Sequence, residues 1–261
     1  MVRVARKESP TGYYHVMMRG NNKEMIFAKV AEKKYFIEQL QEQVEKKNIS
    51  IVAYCLMNNH VHLLIHSELP KMTDAFKRIN IKFAGLYNSK YERVGHVFQD
   101  RFKSEVIDSE GYLIRAMRYI HNNPVKAKIA INTDDYYWSS YKEYIEGKNK
   151  LVCPREREFI LGLFSYSIEY FKSFHLEEEI EEFLEISEDL EQEREERAQK
   201  IIDKFLKKYD IRDIKALTND KNILEDTVKQ LLKNSYLSHR RIAELLHVSR
   251  GTIHGIAKKL D

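Results

Sequence analysis

In the first third of the chain, apolar residues follow a pattern that predicts two strands joined by a tight turn. Residues 49–56 form an apolar run rich in strand-forming residues, and Asn58 and Asn59 then supply the chemistry of a turn. After the turn, an apolar side chain stands at every second position and alternates with His60 and His62. Because alternate side chains of a strand share a face, we expect these two imidazoles side by side, roughly 7 Å apart.

The periodicity of the neighbouring segments completes the outline of one α+β domain. Strand patterns cover residues 12–19 and 95–107, and helical patterns cover residues 30–47, 70–91 and 109–123, the last ending before Pro124. The predicted order of elements is therefore β-α-β-β-α-β-α. This order is typical of a ferredoxin-like antiparallel sheet with helices packed against it, a fold that hosts many functions and selects none of them.

The remaining pattern is mostly helical and divides the sequence into three parts. We assign residues 1–150 to the α+β domain, residues 151–200 to a helical and acidic connector, and residues 201–261 to an all-helical region. Within the last part, residues at about 238–260 resemble a helix-turn-helix, with a serine where each helix needs a cap. Its DNA-facing residues would be Arg250, Thr252 and Lys258. A plain helical hairpin is the alternative interpretation.

Charge is distributed unevenly over these parts. The net charge of the whole chain is +4, whereas residues 1–150 alone carry 25 basic against 17 acidic residues. Residues 177–197 carry 12 acidic residues against two arginines, and residues 198–261 are basic again. Two basic blocks around an acidic one indicate two nucleic-acid-facing modules joined by a solvated connector. For the acidic run alone, an exposed helix face or a disordered linker explains the composition.

The composition is that expected of a soluble globular protein of the cytoplasm. Hydrophobic residues make up 43% of the chain and charged residues 32%, and no apolar run is long enough for a membrane span. The basic N-terminus has no apolar segment behind it, so no signal peptide is expected. Cys55 and Cys153 are too few for a disulfide framework or a cysteine-based zinc site, and they suit a reducing compartment.

The paired histidines are the first candidates for chemistry. Two imidazoles held side by side on a rigid strand supply part of a divalent-metal site. For a bare His-x-His pair, hydrogen-bonded residues of a sheet are the more common explanation. The motifs in the rest of the first domain decide between these two interpretations.

Five short motifs stand in order along the first domain. They are YHV with RGNN at residues 14–22, YCLMNNHVH at 54–62, GHVFQDRFK at 95–103, RYIHNNPVKA at 118–127 and WSSY at 138–141. Together they resemble the IS200-type, single-tyrosine HUH transposase family, and more narrowly the REP-associated tyrosine transposases. The resemblance covers roughly residues 10–145. One departure is Asn58, where many relatives have proline; it alters the stiffness of the turn and leaves the histidines in place.

This resemblance implies a metal-dependent enzyme that nicks and rejoins DNA. It assigns Tyr119 as the nucleophile, with a 5′-phosphotyrosine intermediate, and His60 and His62 as ligands of Mg²⁺ or Mn²⁺. It also implies a polar third ligand one helical turn after the tyrosine, which selects Asn123. Asn122 is the fallback, because a residue before proline can leave helical geometry. Without the motif, a core aromatic would be the more common explanation of Tyr119.

The DNA partner implied by the resemblance is single-stranded or forms a hairpin or palindromic repeat. Basic residues interleaved with aromatic ones fit a groove for phosphates and stacked bases. The DNA-binding candidates of the first domain are Arg19, Asn21, Arg101, Lys103, Arg115 and Arg118. The other histidines of this domain are interpreted as structural, surface or DNA-facing residues: His15, His66, His96 and His121. Both a homodimer and a monomer are compatible with the sequence.

Two other functions are compatible with parts of this pattern. A DNA-binding regulator derived from a transposase would keep the fold without cleaving, although the intact His60, His62 and Tyr119 argue against it. A phosphodiesterase with two His-x-Ser/Thr motifs is disfavoured, because the first domain contains no pair of such motifs.

Overall fold

The computed structural model describes residues 5–148, 150–177 and 187–258. The chain divides into two units, Met1–Leu184 and Glu185–Asp261. Each unit buries its own cluster of apolar side chains, so each has a separate hydrophobic core. Within the described ranges, no helix combines the length and the apolar character needed to cross a membrane.

A four-stranded antiparallel sheet organises the first unit. Its strands are β1 (Tyr13–Arg19), β2 (Ser50–Leu56), β3 (His60–His66) and β4 (Lys103–Ile107), in the order β2-β3-β1-β4. The helices of this part are α1 (Val30–Glu45), α2 (Leu69–Lys90) and α3 (Glu110–Lys126). All three strand pairs are antiparallel. This order of elements is the ferredoxin-like one, so the predicted α+β fold is confirmed.

The register of the strands places the paired histidines on one face of the sheet. β3 pairs with β2 on one side and with β1 on the other. In the β1 pairing, Arg19 lies opposite His60 and Met17 lies opposite His62. Directly opposite residues share a face, so the histidines lie beside the carboxyl end of β1.

The turn between β2 and β3 is held by donors from outside the hairpin. Phe27 N–H donates to Asn58 O over 2.9 Å, and Gly20 N–H donates to Asn59 O over 2.8 Å. Lys33 Nζ also donates to Asn58 Oδ1 over 3.0 Å. These bonds restrict the turn that precedes the first histidine, although the turn lacks a proline.

Only the end of the predicted strand 95–107 belongs to the sheet, as β4. The preceding residues pass the carboxyl end of β1 as a loop, where Gln99 N–H donates to Arg19 O over 2.9 Å. The rings of Phe98 and Phe102 turn into the core and pack 5.6 and 4.9 Å from rings of α2. The apolar alternation of this segment therefore reflects the core contacts of a loop rather than a longer strand.

The predicted end of α3 before Pro124 is wrong, because the helix continues to Lys126. A proline inside a helix removes one backbone donor, but here it falls in the last turn. Ala127 N–H donates to Asn123 O over 2.9 Å and closes the helix end. Asn123 therefore keeps helical geometry, one turn after Tyr119.

Three further helices complete the first unit and change its predicted boundary. They are α4 (Tyr141–Glu146), α5 (Pro154–Leu163) and α6 (Ile168–Leu176). Phe164, Phe171 and Phe174 are buried in the same apolar cluster as the sheet. Residues 151–177 are thus part of the first core, whereas the predicted connector was placed from residue 151 onwards. Of that acidic segment, residues 178–186 lie outside the described residues.

The second unit is helical throughout its described part. Its helices are α7 (Ser187–Lys208), α8 (Ile214–Asn219), α9 (Lys221–Asn234), α10 (His239–Leu246) and α11 (Arg250–Ala257). Ser238 and Ser249 cap α10 and α11, each accepting from a backbone N–H three residues on. His247 adopts the left-handed conformation between them, with φ of 54°. Both helices of the predicted pair are present, residues 259–261 lie outside the described residues, and the DNA-binding role stays a prediction.

Candidate active site

Tyr119 lies against the two predicted ligand histidines, where α3 meets β3. The ring centroids of His60 and His62 are 5.1 Å apart, and the rings are nearly perpendicular. The ring of Tyr119 is 5.5 Å from that of His62, again edge to face. Asn123 stands one turn beyond Tyr119 and therefore on the same side of the helix. The fold thus brings two segments almost 60 residues apart in the sequence into one site.

His15 of β1 contacts His62 directly, and the sequence does not predict this contact. Nε2 of His15 and Nδ1 of His62 lie 3.0 Å apart and share a hydrogen bond between buried rings. His60 hydrogen bonds through Nδ1 to Asn59 Oδ1 over 2.7 Å. In both predicted ligands the Nδ1 atom is engaged by the protein, which assigns Nε2 as the nitrogen that would coordinate a metal.

The surroundings keep the imidazoles of His15 and His62 neutral. Burial lowers the pKa of His15 to about 3. Burial, followed by the nearby His60, His15 and Lys126, lowers the pKa of His62 well below its usual value. The neutral imidazole is the form that coordinates a metal ion.

The asparagines at positions 122 and 123 have different surroundings. Asn122 Nδ2 donates to His175 O over 2.8 Å, and Asn122 Oδ1 accepts from Thr133 Oγ1 over 2.6 Å. Asn123 is 8% exposed, and within the described part of the chain its buried Nδ2 has no hydrogen-bond partner. Both polar atoms of the Asn122 amide are engaged by the fold, so the structure favours Asn123 over Asn122 as the predicted ligand.

The described residues offer few candidate metal ligands at this site. Among the described residues, no three His, Cys, Asp or Glu side chains are arranged to hold a metal ion. The two histidines and the amide oxygen of Asn123 stay the predicted ligand set. Three such donors would not complete the coordination of a hard cation, which prefers oxygen ligands.

The opposite side of α3 is anchored by a chain of buried hydrogen bonds. His175 Nδ1 donates to Phe171 O over 2.8 Å, so its Nε2 accepts from His121 Nδ1 over 2.9 Å. His121 Nε2 then accepts from Ser140 Oγ over 2.7 Å. Burial lowers the pKa of His175 to about 4 and that of His121 well below its usual value. Neutral histidines therefore fix the helix that carries Tyr119.

Tyr119 itself is buried, with 2% of its surface exposed. Lys126 Nζ lies 4.6 Å from the centroid of its ring. Its burial matches a core aromatic residue, while its histidine and lysine neighbours match a nucleophile. Both interpretations made from the sequence thus describe part of its surroundings.

A comparison with protein families finds a match within the first unit. Residues 9–123 match the family model described as "Transposase IS200 like". This segment is similar to IS200-like transposases. The match extends from before β1 to Asn123 and contains both histidines and the tyrosine, which confirms the resemblance inferred from the five motifs.

Two solved structures are similar to this chain at low sequence identity. One is a REP-associated tyrosine transposase bound to a REP hairpin, with 16% identity and a TM-score of 0.46, covering 59% of this chain and 91% of that chain. The other is described as a transposase from Deinococcus radiodurans, with 17% identity and a TM-score of 0.31, covering 47% of this chain and 95% of that chain. A comparison with curated proteins gives no match.

The predicted DNA-binding residues of the first unit differ in exposure. Arg101 and Lys103 are exposed around the start of β4, and Arg115 is half-buried on α3. Asn21 is half-buried in the turn after β1, and Arg19 is buried at the end of that strand, beside the histidine pair. The exposed pair is the better placed to meet a DNA backbone, and all five contacts stay predictions.

Arg118 has a different environment from the other candidates. Its Nη1 donates to Phe174 O over 3.2 Å and to Glu177 Oε2 over 2.6 Å. Its guanidinium also lies 4.3 Å from the centroid of the Phe174 ring. These contacts bind α3 to the end of α6, so they favour a structural role for Arg118 over the predicted phosphate contact.

The candidates in the second unit lie on α11. Arg250 and Lys258 are exposed. Thr252 is half-buried, and its Oγ1 lies 2.9 Å from Ser249 Oγ within the helix cap. Two of the three predicted residues are therefore accessible to a ligand as the helix stands.

Proposed function

We propose that the transposase domain nicks and rejoins single-stranded DNA at hairpins or palindromic repeats, with Tyr119 as the nucleophile. The observation that carries this proposal is the contact of the Tyr119 ring with His62, one of a histidine pair, inside a segment that matches the IS200-like family. Similarity to a transposase family supports cleavage and rejoining of DNA. The side chains at this contact are those that a tyrosine transesterification needs.

The proposed reaction exchanges one phosphodiester bond for another. Tyr119 Oη forms a bond to phosphorus and loses its proton, while the bond from phosphorus to the 3′ oxygen breaks and that oxygen leaves as a hydroxyl. A free tyrosine has a pKa of about 10, so its hydroxyl needs nearby positive charge. Lys126 supplies such a charge above the ring. The resulting 5′-phosphotyrosine link allows a 3′-hydroxyl to rejoin the strand without ATP.

His60, His62 and Asn123 would hold Mg²⁺ or Mn²⁺, which supplies positive charge to an oxygen of the scissile phosphate. The histidines would use Nε2 and the asparagine would use Oδ1. His15 acts through His62 as a positioning residue, because its hydrogen bond fixes the orientation of that ring.

The second unit would bind DNA without cutting it. α11 presents Arg250 and Lys258, which could contact phosphates or bases if α10 and α11 act as a helix-turn-helix. Thr252 would have to leave its cap contact with Ser249 or act through its methyl group. The expected cytoplasmic location, and the choice between monomer and homodimer, stay predictions.

The alternative function is a non-cleaving DNA-binding regulator derived from a transposase. Formation of a covalent protein–DNA adduct distinguishes the nicking enzyme from this regulator. The full-length protein is incubated with Mn²⁺ and a hairpin whose single-stranded tail is labelled at its 3′ end. The products are then separated on a denaturing gel. We expect a labelled protein band that is absent for Tyr119→Phe and unchanged for Tyr137→Phe, an exposed tyrosine outside the site. A wild-type protein that binds the hairpin without forming the band would favour the regulator.

A further inference from the structure

A cavity lies beside Tyr119 in a part of the first unit that is mostly outside the family match. It has a volume of about 650 Å³ and is lined by α3, by residues 131–134, and by parts of α4 and α6. This volume is in the range of ligand sites in proteins. His60, His62 and Asn123 are not among its lining residues, whereas Tyr119 is. The cavity therefore adjoins the proposed nucleophile without belonging to the histidine site.

The lining includes an unusual amount of accessible apolar surface. Tyr141 is buried and Ile145 is half-buried, and both line the cavity from α4. Ile131 is 86% exposed and Leu176 is 85% exposed, and both belong to the same lining. Removing such surface from water is favourable, so a flat apolar group placed here would be stabilised.

The charges around the cavity suit a phosphate next to that apolar group. Lys126 and Lys172 both line it, and Lys126 Nζ is 4.6 Å from the centroid of the Tyr119 ring. Glu177 also lines it, but Arg118 forms an ion pair with this carboxylate at 2.6 Å and balances its charge. A cation thus stands where the cavity meets the proposed nucleophile.

Polar groups of the lining can contact the edge of a base. Burial, and then the negative charge of Asp134, raises the pKa of Tyr141 to about 12, so its hydroxyl stays protonated at neutral pH. Asp134 and Asn132 line the cavity as well and are exposed. The combination of apolar surface, polar edge groups and lysines matches the parts of one nucleotide.

We propose that this cavity holds the nucleotide that flanks the scissile phosphate, with its base against Tyr141 and Ile131 and its phosphate beside Lys126. This inference rests on the proposed nicking function, because it takes Tyr119 as the point where the strand enters. A strand whose phosphate lies at this tyrosine carries the adjacent nucleotide directly past the cavity. A base whose polar edge contacts this lining cannot pair with another base through that edge, so the flanking base must be unpaired. The cavity would therefore help to select single-stranded DNA.

A double-mutant cycle on DNA affinity tests the inference. All proteins are full-length and carry Tyr119→Phe, so that no strand is cut during the measurement. Ile131→Asp places a charge at the cavity without disturbing the core, because the side chain is exposed. Val94→Asp is the matched control, since Val94 is 97% exposed and does not line the cavity. Each protein is titrated with a hairpin carrying a single-stranded tail, and with tails that contain one abasic site at each position in turn.

We expect Ile131→Asp to weaken binding of the intact hairpin on the order of tenfold, the size of one lost base contact. At one abasic position the effect should vanish, because the base that occupies the cavity is missing. Val94→Asp should change affinity by no more than about twofold, as is usual for a surface site. The inference is overturned if Ile131→Asp binds like Val94→Asp, or if its effect persists at every abasic position.

Adduct formation by the wild-type protein on the same hairpins reports separately on the proposed function. If the adduct forms but Ile131→Asp does not change DNA affinity in the double-mutant cycle, the cavity inference is overturned and the nicking function stands. If Ile131→Asp changes DNA affinity as expected but no adduct forms, the nicking function is overturned. The assignment of the base as the neighbour of a scissile phosphate is then overturned as well.

Discussion

Replacing His15 by phenylalanine removes the partner of His62 while an aromatic ring still fills the buried position. In the native protein, His15 Nε2 and His62 Nδ1 share a hydrogen bond of 3.0 Å. Both rings are buried, so water cannot replace the lost partner and the His62 ring loses its fixed orientation. Loss of such a bond behind a metal ligand costs about 10- to 100-fold in metal affinity, which corresponds to about 1.4 to 2.8 kcal/mol.

Titration calorimetry with Mn²⁺ measures this loss directly, with thermal unfolding as the check that each variant is folded. We expect His15→Gln to recover part of the affinity, because a glutamine amide can reach the position of the imidazole Nε2. His66→Phe is the matched control, since His66 lies on the same strand as His62 and is partly exposed. Equal Mn²⁺ affinity in His15→Phe and the wild type would refute the positioning role. A wild-type protein that does not bind Mn²⁺ would refute the metal assignment itself.

Two further predictions concern the anchoring of α3, and a third concerns the boundary of the first unit. Ser140→Ala removes the donor to His121 Nε2 and the acceptor of a buried backbone N–H, and should cost about 2–5 kcal/mol in urea unfolding; a loss below about 1 kcal/mol would contradict this. The unfolded chain protonates His175 near pH 6.5 and the folded protein only near pH 4, so stability should fall as pH drops between these values, by up to about 1.4 kcal/mol per pH unit. His175→Phe should show a shallower slope, and an unchanged slope would refute the assignment. A protein of residues 1–177 should give a cooperative thermal transition, whereas residues 1–150 should not, because that cut removes part of the first core; equal transitions would contradict the boundary.

The hairpin and its histidines could be predicted because their signals are local. The alternation after Asn58 and Asn59 sets the face of each side chain without knowledge of the rest of the fold. The turn residues set where β2 ends and β3 begins. His60 and His62 therefore appear in the structure on one face, as the pattern predicts, with their rings 5.1 Å apart.

The role of His15 could not be predicted in this way. Its contact with His62 depends on β1 pairing with β3 in one particular register, across 47 positions of sequence. A shift of one residue would turn the side chain to the other face. Nothing near position 15 in the sequence specifies that register, so the sequence predicts only a structural or DNA-facing role for His15.

The boundary of the first unit was missed for a related reason. Phe164, Phe171 and Phe174 lie in a part of the sequence that is predicted only to be mostly helical, and this pattern does not specify which core they enter. The strong acidic run that follows suggested a connector beginning earlier than it does. The predicted end of α3 before Pro124 was wrong for a local reason. A proline disrupts a helix least when it lies in the last turn, and Pro124 lies in the last turn of α3.

The most direct test of the central claim is the identity of the residue that becomes linked to DNA. Wild-type protein is incubated with Mn²⁺ and a hairpin with a single-stranded tail. The adduct is digested with protease and nuclease, and the modified peptide is sequenced by mass spectrometry. The proposed function predicts a nucleotide attached through its 5′ phosphate to Tyr119, and loss of this peptide when EDTA replaces Mn²⁺. A nucleotide on any other residue, or hairpin binding with no modified peptide, would contradict it.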